Sequence, residues 1–199
     1  MFYEPRKKDH GLPHDPFKAL VTPRPIGWIT SMSLAGDINL APFSFFNAFQ
    51  TSPHLVGFAA DGRKDSVVFV EETKEFVCNM VSEDLWHEMN ATSAPLPRGT
   101  SEMVHAGLEA EPSRIVRPPR VKRAAAALEC RWTETIHLRD AEGKPSDAWL
   151  VCGEVVGIHV DDRFIKDGRV DTAAMRVISR LGYRDYAVVD RTFELRRPE

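Results

Sequence analysis

The chain of 199 residues has only three cysteines, Cys78, Cys130 and Cys152. Their number is odd and no pair has Cys-x-x-Cys spacing, so neither a disulfide framework nor a zinc centre is expected. Each lies in an apolar, strand-like stretch and reads as a buried free thiol of a reducing compartment. The histidines His54, His87, His105, His137 and His159 are scattered without metal-binding spacing. Asp161, Asp162 and Asp167 read as a solvated turn, so no metal is expected. There is no P-loop, no nucleophile-elbow serine motif and no glycine-rich dinucleotide fingerprint. No apolar run approaches the roughly 18 residues of a spanning helix. The polar start, Met1 to His10, lacks the apolar core of a signal peptide, so a soluble, cytoplasmic protein without a membrane partner is expected. A formal net charge of −3 carries no global field for nucleic acid. The basic runs at 114–123 and 191–197 read as solvated surface.

What is present suits one core-forming domain: 43% of residues are hydrophobic. Residues 1–16 read as an arm, 17–190 as the domain and 191–199 as a tail. Residues 25–34 alternate with period two, placing Ile26, Trp28, Thr30, Met32 and Leu34 on one face and Gly27, Ile29, Ser31 and Ser33 on the other. Ala35-Gly36-Asp37 is turn chemistry, so 38–47 is expected to return as a hairpin partner. Strands are also expected at 54–60, 75–81, 128–138 and 148–160, the last two joined by a turn at 140–144, and a last short one at 186–190. A weak helix is expected after Asp61-Gly62-Arg63 with Asp65 or Ser66 as N-cap, one capped by Ser82 to about Thr92, and a short one over 172–180. Five prolines make 93–123 loop-rich. Many hairpin-linked strands predict a mainly β, antiparallel barrel decorated by short helices.

Residues 24–47 hold the densest chemistry. A β surface carrying Thr30, Ser31, Ser33, Ser44 and Asn47 is poor core material, because each unpartnered buried polar group costs on the order of 1–3 kcal/mol. These groups suit the polar edge of a heterocycle, with Trp28, Phe45 and Phe46 available to cover its faces. Arg63, Lys64, Asp65 and Ser66 stand at the expected start of a helix, where free N–H groups, the dipole and two cations suit a monophosphate. The same residues also read as a capped surface helix preceded by solvated cations. A cofactor with a polar-edged ring and a phosphate tail fits both halves.

In the words Arg24-Pro25-Ile26-Gly27-Trp28-Ile29-Thr30-Ser31, Asn39-Leu40-Ala41-Pro42-Phe43-Ser44-Phe45-Phe46-Asn47, Lys64-Asp65-Ser66, Glu75 to Val81, Met89-Asn90 and Arg180-Leu181-Gly182, the chain resembles the flavin reductase-like, FMN-binding split-barrel proteins. The words occur in the family's order over about 17–190. The resemblance implies a six-stranded antiparallel Greek-key barrel, a homodimer, and FMN near the subunit interface. It implies that Thr30, Ser31, Ser44, Phe45 and Asn47 line the flavin, that Lys64, Asp65 and Ser66 lie by its phosphate, and that Arg180 belongs to the same site. Ser66 stands where threonine is commoner, and Tyr183 where many relatives have a second glycine, which would crowd a nearby pocket.

The expected function is an FMN-dependent oxidoreductase of flavin reductase type, with NADH or NADPH as transient hydride donor and a small molecule or protein as electron acceptor. Hydride transfer needs no catalytic acid or base from the chain, and none is assigned. Two alternatives use the same residues: an FMN-binding electron carrier or sensor reduced by a partner protein, and a scaffold that has lost its flavin.

Overall fold

A computed structural model describes residues 1–198. Strand β1 (Gly27–Met32) turns at Gly36, whose φ of +95° requires glycine, into β2 (Ile38–Phe43). Strand β3 (Phe46–Thr51) turns at once into β4 (His54–Asp61). Helix α1 (Asp65–Thr73) leads to β5 (Glu75–Asn79). Two long strands, β6 (Ala126–Arg139) and β7 (Pro145–Val160), form the hairpin expected from their turn. All pairings are antiparallel, in the order β2-β1-β5-β6-β7-β4-β3.

This order explains the closure of the sheet. Its two edge strands, β2 and β3, are joined only by Ser44 and Phe45, a link that spans about 10 Å at most. The sheet must therefore curl until its edges meet, leaving a seam rather than a ladder between them. The interior carries Ile29, Phe43, Val56, Phe58, Phe76, Cys78, Cys130 and Val151 from six strands. Phe58 bridges opposite walls, with ring centroids 4.7 Å from Phe43 and 5.8 Å from Phe76. Val67 and Val70 of α1 plug one end of this core, so packing compensates for the helix's β-branched composition. The even-numbered face of β1 packs outward: Ile26 and Trp28 join Leu40, Leu85, Met89, Met103 and Ile178 in a second core. The alternation read from 25–34 thus separates two cores rather than core from solvent.

Four expectations are corrected. The sheet has seven strands, not six, because the returning segment 38–47 breaks at Ser44-Phe45 and its end belongs to the opposite edge. The N-cap of α1 is Lys64, not Asp65 or Ser66; its carbonyl accepts from the N–H groups of Val67 and Val68 at 2.9 and 3.1 Å. Ser82 holds the expected N-cap position, but of a 3-10 turn, Glu83–Leu85, that precedes α2 (Trp86–Ala91), and it caps with its carbonyl, which accepts from the Leu85 N–H at 3.0 Å, while its hydroxyl donates to Asp84. The 172–180 helix is only Thr172–Met175; Ile178–Arg180 is a strand between Arg24–Pro25 and Tyr186–Val188, a small second sheet. Among the described residues, no helix is long and apolar enough to cross a membrane.

Candidate functional site

The candidate residues fall into two groups on the β1–β2 hairpin. At the barrel end plugged by α1, Asn39 donates its amide to Ser66 Oγ at 2.8 Å and to Ser31 Oγ at 3.4 Å. All three residues are buried. Their shared network joins the hairpin to the first turn of α1 and leaves each hydroxyl with a proton to donate. Lys64 is exposed, with no acidic partner among the described residues. With Val67 and Val68 capped, the N–H groups of Asp65 and Ser66 have no intrahelical acceptor. Lys64 and those N–H groups therefore stand without an intrahelical acceptor or acidic partner at the positive end of a nine-residue helix, with the buried Ser66 hydroxyl held behind them by Asn39. Asp65 and Arg63 do not join them: Asp65 holds Arg98 at 2.5 Å, and Arg63 pairs with Glu71 and lies 4.9 Å over the Trp149 ring.

At the other end of the hairpin, Ser44 and Arg180 line one cleft of about 170 Å³ with Ile26, Pro42, Met89 and Tyr186. Four of the sequence words that are far apart in the chain meet here. Phe45 is exposed beside this end, and Asn47 is exposed on β3. Register from Gly27↔Phe43 to Ser31↔Asn39 separates the two groups by about 13 Å along the strands.

Trp28 and Thr30 do not face an open site. Trp28 is fully buried and its indole N–H donates to Thr92 at 2.9 Å. Thr30 is equally buried and accepts from Asn79 at 2.9 Å. Phe46, the other aromatic offered as a ring cover, lies against Gly27, where an added Cβ would come within 2.6 Å of its ring. These three hold the walls. Burial also pushes the Cys130 thiol well above its ordinary range, which disfavours a nucleophilic role.

Arg24 was not singled out as a site residue, although it opens the first sequence word. It is 6% exposed and stands directly opposite Arg180 in the small sheet. Its guanidinium donates to the carbonyls of Lys18 and Leu181 at 2.6 and 2.7 Å and also to that of Val21. Burial, and then the neighbouring Arg180 charge, hold its pKa below the usual arginine value. The signal that could have found it is its place beside proline on a strand leading into the hydroxyl-rich hairpin.

A barrel with a seam, a donor set at a helix N-terminus, and a polar-rimmed cleft nearby are an arrangement that suits a small cofactor with an anionic tail. The chain belongs to the flavin reductase-like domain family, whose model matches residues 20–174. It is similar to an uncharacterised protein of Halalkalibacterium halodurans, 38% identical over 89% of this chain and 87% of the other. It is similar in structure to nitrilotriacetate monooxygenase component B from Bacillus cereus, with 30% identity, 98% of each chain covered and a TM-score of 0.89. It is also similar to Pseudomonas fluorescens 2-nitrobenzoate 2-nitroreductase, with 29% identity, 92% and 88% covered and a TM-score of 0.81.

Proposed function

We propose that this protein is an FMN-binding oxidoreductase that accepts hydride from NADH or NADPH and passes electrons to a small-molecule or protein acceptor. The observation that carries this reading is the N-terminus of α1, where Lys64 and the Asp65 and Ser66 N–H groups lack partners within the helix, the donor chemistry that suits a phosphate. The residues fit the cofactor. Lys64 and Ser66 would hold its phosphate, while Ser44, Phe45 and Asn47 would meet its ring. A bound flavin supplies the redox chemistry, and the chain needs no acid or base for it. The chain's task is to orient the ring, keep Ser31 and Ser66 preorganised through Asn39, and leave one ring face open. Kinship with a monooxygenase component and a nitroreductase supports an oxidoreductase over a bare scaffold. A second copy of the chain would cover the exposed face of β3, giving a homodimer.

The test is the absorbance spectrum of purified protein, followed by anaerobic addition of NADH and then NADPH. Flavin bands that bleach promptly support the reading and identify the donor. Bands that persist until dithionite is added replace it with an electron carrier served by a partner protein. Colourless protein that takes up no FMN overturns flavin binding altogether.

A further inference from the structure

Two arginines sit side by side without a counter-ion. Arg24 and Arg180 are directly opposite in an antiparallel pair, an arrangement in which like charges repel. The bonds to Arg24 described above are all to backbone carbonyls, and those of Arg180 are to the Tyr186 hydroxyl and the Tyr183 carbonyl. Among the described residues neither meets a carboxylate. Arg24 is more than nine-tenths buried, and its Nε has no hydrogen-bond partner. A guanidinium does not shed its proton to escape this position. Carbonyls fix the geometry of such a pair but leave its net charge uncompensated, and an uncompensated buried charge is costly.

The pair borders the cleft described above. Arg180 lines it, and Ile26, which shares the face of Arg24 two residues along, lines it too. Phe45 lies 5.7 Å from the Arg24 guanidinium carbon, so the segment assigned to the flavin ring begins beside the pair. Ile26, Pro42, Met89 and Tyr186 give the cleft an apolar side, Ser44, Asn90 and Ser93 give it a polar side next to Arg180, and about 170 Å³ suits a single six-membered ring that carries a polar substituent.

We propose that Arg24 and Arg180 form a carboxylate-binding site, and that the adjoining cleft takes a small aryl carboxylate beside the cofactor. The site assigns Arg180 to this second ligand rather than to the flavin. This rests on the proposed function only in placing the ligand next to a flavin; the charge pair itself does not depend on the cofactor.

The same donors would serve a phosphate, so the test separates the two sources. Full-length protein loaded with FMN is titrated at fixed ionic strength with benzoate, with its neutral isostere benzamide, and with inorganic phosphate. Benzoate is expected to bind at least roughly tenfold more tightly than benzamide, the scale of one charge-assisted hydrogen bond. Arg180→Gln should abolish that preference, and Arg180→Lys should retain most of it. Thermal melting of each variant identifies any that has not folded, and the Lys variant keeps the comparison decisive if the Gln variant has not. Equal binding of benzoate and benzamide, or none of either, overturns the proposal. So does an Arg180→Gln variant that loses the preference for FMN over riboflavin, because the pair then holds the cofactor's phosphate. Inorganic phosphate binding more tightly than benzoate overturns the aryl carboxylate in the same way. Protein that holds no FMN overturns the proposed function alone, and the benzoate titration on flavin-free protein still decides the site.

Discussion

Glu129 shows how one residue can bind a loop to the barrel. It is fully buried on β6, and its carboxylate accepts from the N–H groups of Arg114, Ile115 and Val116 at 2.7, 2.6 and 3.0 Å and from His159. Burial opposes its ionisation, but the hydrogen bonds from Arg114, His159, Ile115 and Val116 prevail and hold its pKa at about 2, against 4.5 for a free glutamate. A depressed carboxylate pKa stabilises the fold fully above about pH 4.5, and the contribution is lost as pH falls towards 2. The shift corresponds to roughly 3 kcal/mol at neutral pH. Urea unfolding of Glu129→Gln should therefore show lower stability at pH 7 and a gap from wild type that narrows towards pH 3. Parallel stability curves would sink this account. Neither Glu129 nor Arg24 stood out in the sequence, and for the same reason. A charged residue in an apolar run signals burial only once its partners are known, and these lie as far as 30 residues from Glu129 and 157 from Arg24.

At the scale of elements, the barrel depends on positions without side chains. A Cβ on Gly153 of β7 would lie 2.4 Å from the Phe76 ring and 2.9 Å from the Arg131 carbonyl, inside a packed wall. Gly153→Ala should cost about 1–3 kcal/mol in urea unfolding, since neither ring nor backbone can withdraw without disturbing the interior. A loss below roughly 0.5 kcal/mol would mean that the wall yields more easily than close packing allows. Helix α1 allows a complementary test, because its site and its stability are separable. Lys64 caps with its backbone, so Lys64→Ala should leave the melting temperature nearly unchanged. It should weaken FMN binding by roughly 1–3 kcal/mol, and an unchanged dissociation constant at fixed salt would remove Lys64 from the phosphate site. The hairpins β1–β2 and β6–β7 were legible because period-two patterning and turn residues are local signals. The break at Ser44-Phe45 was not legible. It arises from the sheet closing on itself, and closure leaves no periodicity in the residues that perform it. The polar grouping of Ser31 and Ser66 was legible as chemistry, whereas the burial of Trp28 and Thr30 was not, because a second core covers the outer face of β1.

At the scale of the molecule, the seam leaves a consequence on the surface. Strand β3 is an edge, every residue from Asn47 to Thr51 is exposed, and it carries Phe49 at 55% exposure, four residues beyond Phe45 at 44%. Exposed edges with large apolar side chains invite pairing, and this one has neither proline nor lysine within Phe46–Thr51 to discourage it. Phe49 contributes little to the fold in return. Its ring rests on Gly57, and more than half of it remains in water. A second copy placed over this strand would bury both aromatics and enclose the segment from Ser44 to Asn47 that is proposed to meet the flavin ring. Light scattering of the purified protein should therefore give the mass of a dimer. Phe49→Asp should shift it to monomer, because burying that charge against an apolar partner is unfavourable, while far-ultraviolet circular dichroism stays that of the wild type. The dimer should also hold FMN more tightly than the variant monomer if the partner completes the site. A monomeric wild type, or a Phe49→Asp protein that remains dimeric, would place any interface elsewhere and leave β3 as an unpaired edge.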